Sequence, residues 1–224
     1  MMKQARPDML KTLASTVLAT VVVLAVAPAA LAADTPSAKA TTATLAAVPA
    51  VSAADRVLGR ADAPVTVIEY ASFTCSHCAA WTNDVLPAFK ARYIDTGKVR
   101  LVFRDLPTQP VQVAATAAAI GRCAAPGKFF DVAHYLMAAQ SAAFASGDAR
   151  DWYTGAISVS GRTQAQIEAC LGDPATGQAL QRDVEAAVAA GVEGTPSFFV
   201  NGVRASDHSL ETLSAAIDPL LKGR

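Results

Sequence analysis

The run Val65-Thr66-Val67-Ile68-Glu69-Tyr70-Ala71-Ser72-Phe73 is followed, one residue later, by Cys75-Ser76-His77-Cys78, and no other feature restricts the fold of this chain so tightly. A β-branched and aromatic stretch of that length reads as a buried strand, with Pro64 tolerated at its start. Downstream, Trp81, Val85 and Phe89 recur at i, i+4 and i+8, so residues from about Cys75 to Tyr93 read as a helix. Pro87 should kink it, lacking the amide for the previous turn. Both cysteines therefore sit where a buried strand hands over to the first turn of a helix. Unpaired amides and a partial positive charge there favour an anion. A thiol in such a place can ionise at roughly pH 3.5–7.5 rather than ~8.5, and His77 adds a titratable donor beside it.

Two intervening residues let the sulfurs meet within one helical turn. Cys75, at the tip, reads as the exposed nucleophile or electrophile, and Cys78, a turn deeper, as the thiol that resolves a mixed disulfide. Holding the Cys75 thiolate stable makes the disulfide form more oxidising. Two other readings compete. Half of a zinc site would need four ligands, yet there is no second C-x-x-C, and Cys123 and Cys170 lie far apart in the chain. A purely structural Cys75–Cys78 bridge would close a loop too small to remove much unfolded-state entropy.

The remaining pattern is strand, helical block, hairpin, helix. Val99-Arg100-Leu101-Val102-Phe103-Arg104 reads as a second strand, with Arg100 and Arg104 at its solvent-facing ends. Residues 111–190 read as helical. Val132, Ala133 and Leu136 share a face with Phe129, Thr163-Gln164-Ala165-Gln166 has the form of a capping box, and Asp173-Pro174 fits an N-cap followed by proline. Asn201-Gly202 between Ser197-Phe198-Phe199-Val200 and Val203-Arg204-Ala205 is a hairpin signal, and Leu210, Leu213, Ile217, Leu220 and Leu221 make a closing amphipathic helix. The order predicts an α/β thioredoxin fold: a mixed four-stranded central sheet flanked by helices, with a helical subdomain inserted at about 107–192. His134 reads as a core or boundary histidine, His208 as solvated, and Trp152-Tyr153 and Phe129-Phe130 as packing.

The N-terminus bears on compartment. Lys3, Arg6 and Lys11 precede the apolar run Leu13–Val26, and Ala30-Leu31-Ala32 fits a small-x-small cleavage site. Residues 1–32 thus read as an export signal, too short in its apolar part for the ~20 residues that span a bilayer. An uncleaved anchor is the alternative. Residues 33–54, rich in Ala, Thr and Pro, read as a tether without fixed structure, leaving 55–224 as the domain. Formal charge is zero and no basic run is present, so nothing points to nucleic acid. In an oxidising compartment Cys123 and Cys170, each on an apolar helical face, read as a structural disulfide. A second redox relay is the alternative.

Gly194-Thr195-Pro196-Ser197 leads into a strand, and on its own admits either a trans proline at the strand start or a cis Thr195–Pro196 bond turned towards Cys75. Taken together, Tyr70-Ala71-Ser72-Phe73-Thr74-Cys75-Ser76-His77-Cys78, the proline-bearing first helix and Gly194-Thr195-Pro196-Ser197-Phe198-Phe199-Val200-Asn201-Gly202 resemble the DsbA-like family of bacterial envelope oxidoreductases over about residues 55–224. The resemblance implies that Cys75 exchanges disulfides, Cys78 resolves, a cis-proline loop at Thr195-Pro196 contacts substrate, and Glu69 is a buried carboxyl assisting proton transfer at the inner cysteine. A Glu in a hydrophobic strand could otherwise turn outward. Ser76 departs from the proline that well-studied members carry there, which bears on oxidising strength; His77 is retained.

The resulting expectation is a periplasmic thiol–disulfide oxidoreductase that introduces disulfides into unfolded or reduced exported proteins. It would be a monomer, reoxidised by a membrane redox partner, with no cofactor or metal beyond the Cys75–Cys78 disulfide. A disulfide isomerase or reductase on the same fold is the nearer alternative, and a non-catalytic thiol-dependent binding protein or metal carrier the more distant one. Residues 33–54 lack the amphipathic period of a dimerisation segment, which favours the oxidase.

Overall fold

The computed structural model describes residues 47–222. The signal expected at 1–32 and most of the expected tether lie outside them. Five strands, β1 (Arg56–Leu58), β2 (Val65–Ala71), β3 (Val99–Asp105), β4 (Ser197–Val200) and β5 (Val203–Arg204), form one sheet in the order β1-β3-β2-β4-β5. Only β2 and β3 run parallel, joined by the crossover through the first helix. The β1–β3, β2–β4 and β4–β5 pairs are antiparallel. The mixed sheet flanked by helices is the thioredoxin fold, with one strand more than the four expected. β1 is three residues long, too short to show alternation, and is recognisable only through its pairing of Arg56 with Phe103 and Leu58 with Leu101.

The first helix is α1 (Ser76–Ala80), a π-helical turn Trp81–Val85, α2 (Leu86–Phe89) and a second π turn Lys90–Ile94. Pro87 is the physical cause of the first widening. Its ring would clash with the carbonyl one α-turn back, and the chain instead bonds the Leu86 amide to the Trp81 carbonyl, five residues earlier. Five helices separate β3 from β4: α3 (Val111–Arg122), α4 (Phe129–Ser146), α5 (Arg150–Val159), α6 (Gln164–Leu171) and α7 (Pro174–Ala189); α8 (Leu210–Lys222) closes the domain. The α6 start is a capping box, Thr163 Oγ1 accepting from the Gln166 amide at 3.3 Å and Gln166 Oε1 from the Thr163 amide at 3.0 Å. The hairpin turn places Asn201 at φ 46° and Gly202 at φ 84°, the positive-φ pair a tight two-residue turn requires.

β2 is buried on both faces, so its hydrophobic run is continuous rather than alternating. Val65 and Val67 pack with Trp81, Phe89, Leu213 and Ile217 on one side, and Ile68 and Tyr70 with Val192 and Phe199 on the other. By the two-residue strand period Glu69 faces the side of Val67, under the first helix. A third cluster joins Ala71, Phe73, Cys78 and Phe103 to the inserted helices through Val132, Leu136 and Trp152.

Two local expectations fail. Arg104, read as a solvent-facing strand end, is 4% exposed and donates to both Asp55 oxygens at 2.8 and 3.0 Å, to Tyr70 Oη at 3.2 Å and to the Ala50 carbonyl at 3.2 Å. Its partners come from the segment before β1, whose Val48 and Val51 also pack against the Ile68–Tyr70 cluster. His134 is exposed on α4 rather than part of the core.

Candidate active site

The end of β2 is fastened before the reactive cysteine is reached. Ser72 Oγ accepts from the Thr74 amide at 3.3 Å and the Thr108 amide at 3.1 Å, while Thr74 Oγ1 donates to the Thr108 carbonyl at 3.0 Å. The loops after β2 and β3 are thereby tied together. The Cys75 amide donates to the Ser72 carbonyl at 3.1 Å, and Cys75 itself, with φ −84° and ψ 118°, is the N-cap of α1. Its side chain makes no cap bond of its own, and the sulfur lies half-buried at the helix start.

Cys75 is half-buried and Cys78 fully buried, and both carry free thiols. Cys75 Sγ donates to the Thr195 carbonyl at 3.2 Å, across the cis Thr195–Pro196 peptide. Strand β4 begins immediately afterwards, at Ser197, so the strand pairing that fixes β4 beside β2 also fixes this contact. Thr195 Oγ1 is buried and has no hydrogen-bond partner.

The electrostatics differ sharply between the two sulfurs. A hydrogen bond from the Cys78 thiol is the first reason the Cys75 pKa falls to about 5. Burial opposes it, and Thr195 and the Cys78 and His77 amides add to the lowering. The Cys78 thiol is pushed far up, first by burial, then by the hydrogen bond to Cys75 and by Glu69. Glu69 is 1% exposed, its Oε1 has no partner, and burial followed by the Cys75 charge raises its pKa to about 8. Near neutral pH the site thus holds one thiolate at the surface, one thiol beneath it and one protonated carboxyl under both. A cavity of about 250 Å3 touches Glu69 from the side of Lys90, Asp131 and His134.

His77 is exposed, and its ring stands 6.4 Å from that of His208, on the loop after β5. His208, read from sequence as solvated, is partly buried, and its place beside His77 was not foreseen because the two lie on elements far apart in the chain. Gln140 was also missed. It is 4% exposed on α4 and its Nε2 donates to the Phe73 carbonyl at 2.7 Å and the Cys75 carbonyl at 3.1 Å. One signal was available: it continues the buried face Val132, Ala133, Leu136, Met137 as a lone polar residue. Cys123 and Cys170 are bonded to each other, joining the end of α3 to α6. Among the described residues no cluster of metal-ligating side chains occurs, and no helix is long and apolar enough to cross a membrane.

A dithiol at the start of a helix, facing a cis-proline loop on a five-stranded mixed sheet, defines a thioredoxin-type thiol–disulfide centre. A family profile described as thioredoxin (Thioredoxin_4) matches residues 34–219. A putative protein-disulfide oxidoreductase of Rickettsia bellii is 32% identical over 170 residues, 75% of this chain and 65% of that protein. Among solved structures, alpha-DsbA1 of Wolbachia pipientis has a TM-score of 0.68 at 26% identity, covering 75% of this chain and 92% of its own. BdbD of Bacillus subtilis has the same TM-score at 18% identity, covering 80% and 99%, a likeness of fold. The chain belongs to the DsbA-like thioredoxin family. It spans 60% to 65% of the length of its Rickettsia relatives.

Proposed function

We propose that this chain is a thiol–disulfide oxidoreductase of the cell envelope that donates its Cys75–Cys78 disulfide to reduced exported proteins. The observation that carries the reading is the half-buried Cys75 at the start of α1, its pKa lowered to about 5, beside a buried thiol whose pKa is raised. A thiolate that stable is a good leaving group and makes the disulfide a strong oxidant.

A substrate thiolate attacks Cys75 Sγ, the Cys75–Cys78 bond breaks, and its electron pair passes to Cys78, which takes a proton from Glu69. A second substrate thiolate then attacks the substrate sulfur of the mixed disulfide. The substrate disulfide forms and Cys75 departs as the thiolate. Two electrons enter the protein; one substrate proton reaches the buried pair and the other is released. Thr195 and Pro196 hold the extended substrate chain alongside Cys75, where the Thr195 carbonyl now engages the thiol. A disulfide-bearing membrane protein would take the two electrons back.

The test is stoichiometric. Oxidised protein mixed with a reduced, unfolded two-cysteine substrate should consume two substrate thiols per Cys75–Cys78 pair. Cys78→Ser should instead accumulate dithiothreitol-sensitive mixed disulfides through Cys75. Full turnover by Cys78→Ser would overturn the redox reading in favour of thiol-dependent binding. Preferential rescue of a scrambled substrate would identify an isomerase.

A further inference from the structure

We infer that Gln140 is a positioning residue through which the inserted helical block sets the acidity of Cys75. The inference rests on the redox reading above and extends it to a side chain outside the redox motif.

Thr108, at the start of the insertion, bonds Ser72 and Thr74, but α4 itself otherwise meets the turn through apolar side chains, Leu136 and Met137, in the cluster that holds Phe73 and Cys78. Apolar packing is non-directional. It presses the turn against α4 without specifying its backbone torsions. Gln140 differs in kind. Its single amide nitrogen carries two hydrogens, and both are directed at the turn, one to the Phe73 carbonyl at 2.7 Å and one to the Cys75 carbonyl at 3.1 Å. Two carbonyls separated by only Thr74 are thus held at a fixed span by one rigid group.

That span decides where the sulfur lies. The Cys75 carbonyl also accepts from the Ala79 amide at 3.1 Å, the first bond of the helix. The peptide after Cys75 is therefore anchored from two sides, and the next amides, of His77 and Cys78, are donors that lower the Cys75 pKa. If the Gln140 clamp is removed, the Phe73–Cys75 turn keeps its bonds to Ser72, Thr108 and Ala79 but loses its polar tie to α4. Cys75 then samples torsions in which its sulfur leaves the line of those amides. The thiolate loses more than the thiol does, because the amides at the helix start favour the anion over the neutral form. Two buried carbonyls would also lose their shared donor, so a loss of stability accompanies the change; stability alone cannot distinguish the roles.

The experiment titrates thiolate absorbance at 240 nm in the reduced full chain and in Gln140→Leu, which keeps length and loses both donors. Gln140→Glu is a second variant of the same shape, able to donate only when protonated. Asn83→Ala is the control: Asn83 Nδ2 bonds the Met137 carbonyl at 3.3 Å, crossing the same helix interface without touching the turn. The expected result is a Cys75 midpoint raised by about one unit, a tenfold weaker ionisation, in both Gln140 variants, with Asn83→Ala unchanged. The equilibrium with glutathione should move tenfold towards the disulfide in parallel. An unchanged midpoint in a folded Gln140→Leu or Gln140→Glu overturns this inference and leaves the redox function standing. An equal shift in Asn83→Ala overturns it too, since general loosening would then suffice. If the parent protein already titrates like free cysteine, the redox reading itself fails.

Discussion

Cys75 Sγ donates a hydrogen bond to the Thr195 backbone carbonyl at 3.2 Å, while the Thr195 hydroxyl on the same residue is buried with nothing to bond. The two groups suit opposite ionisation states. A carbonyl can only accept, so it serves the thiol; a hydroxyl can donate, so it serves the thiolate. When Cys75 ionises the carbonyl is freed, and it is then available to an amide of an extended chain lying along the cis-proline loop.

Replacing Thr195 with Val tests the hydroxyl half of that exchange. The variant should raise the Cys75 pKa by roughly 0.5–1 unit, the effect of one charge-assisted hydrogen bond at a half-exposed site. Below pH 5, where Cys75 keeps its proton, the Tm of the reduced protein should not fall, because a buried hydroxyl without a partner is replaced by a methyl of similar volume. A drop in Tm without any change in the thiolate titration would show that the hydroxyl only fills space.

The redox equilibrium should carry a characteristic pH dependence. Between about 5, where Cys75 ionises, and the pKa of glutathione, reduction of the protein takes up one proton while the glutathione couple releases two. The equilibrium constant for oxidising glutathione should therefore rise about tenfold per pH unit, about 30 mV for a two-electron couple. Below pH 5 the dependence should flatten, as Cys75 is then protonated in the reduced state. A constant that stays level from pH 5 to 8 would mean that Cys75 is not an anion in that range.

Much of this site can be read from the order of residues because its chemistry is local. Cys75 to Cys78 shares one helical turn, the helix start follows from the preceding strand, and Asn201-Gly202 fixes the hairpin that carries Thr195-Pro196 to β2. What escapes sequence reading is what the fold brings together from a distance. Glu69 could be assigned to the inside only through the family likeness, since a strand buried on both faces shows no alternation to orient it. Arg104 looked exposed because its partner Asp55 lies 49 positions earlier. His208 stands beside His77 although the two are 131 positions apart in the chain.

Arg104 and Asp55 should form a stability determinant remote from the sulfurs. Their side chains are 5% and 7% exposed, so deleting the carboxylate strands a buried guanidinium. Asp55→Ala should cost about 3 kcal/mol, or roughly 10 °C in Tm. Converting both residues to leucine should restore most of the loss, since the desolvation cost disappears with the charges. Denaturant midpoints of the single and double variants decide the matter; equal destabilisation in both would point to lost packing instead.

The Cys123–Cys170 bridge closes a 47-residue separation within the helical insertion. On the loop-entropy account its removal in Cys123→Ala/Cys170→Ala should cost ~4 kcal/mol. The Cys75 titration should be unaffected, because neither cysteine contributes to that thiolate. A changed Cys75 midpoint would instead favour a second redox role for the pair.

Glu69 offers the sharpest test, because its effects on stability and on rate have separate signatures. Its pKa is raised from an ordinary 4.5 to about 8, with burial the leading cause. A carboxyl shifted in that direction binds its proton more tightly when folded. Its contribution to stability is complete below pH 4.5 and is lost as pH rises through about 8. The disulfide form removes the opposing contribution of Cys75 and also its share of the Glu69 shift, so oxidised protein should unfold progressively more easily above pH 5, with burial alone setting a midpoint below that of the reduced form. Glu69→Gln, which cannot ionise, should show a level profile over that interval. The same substitution removes the nearest proton carrier from Cys78, whose own thiol is pushed far up. Formation of the mixed disulfide, the step in which Cys78 leaves and takes a proton, should then slow, about 10- to 100-fold for a general acid–base contribution, and lose the inflection that Glu69 ionisation gives it, while Cys75 alkylation is little changed. Stopped-flow thiol release and denaturant midpoints, each followed across pH, read the two effects independently. Identical pH profiles for parent and variant in both measurements would show that this carboxyl neither ionises in the folded protein nor handles a proton for Cys78.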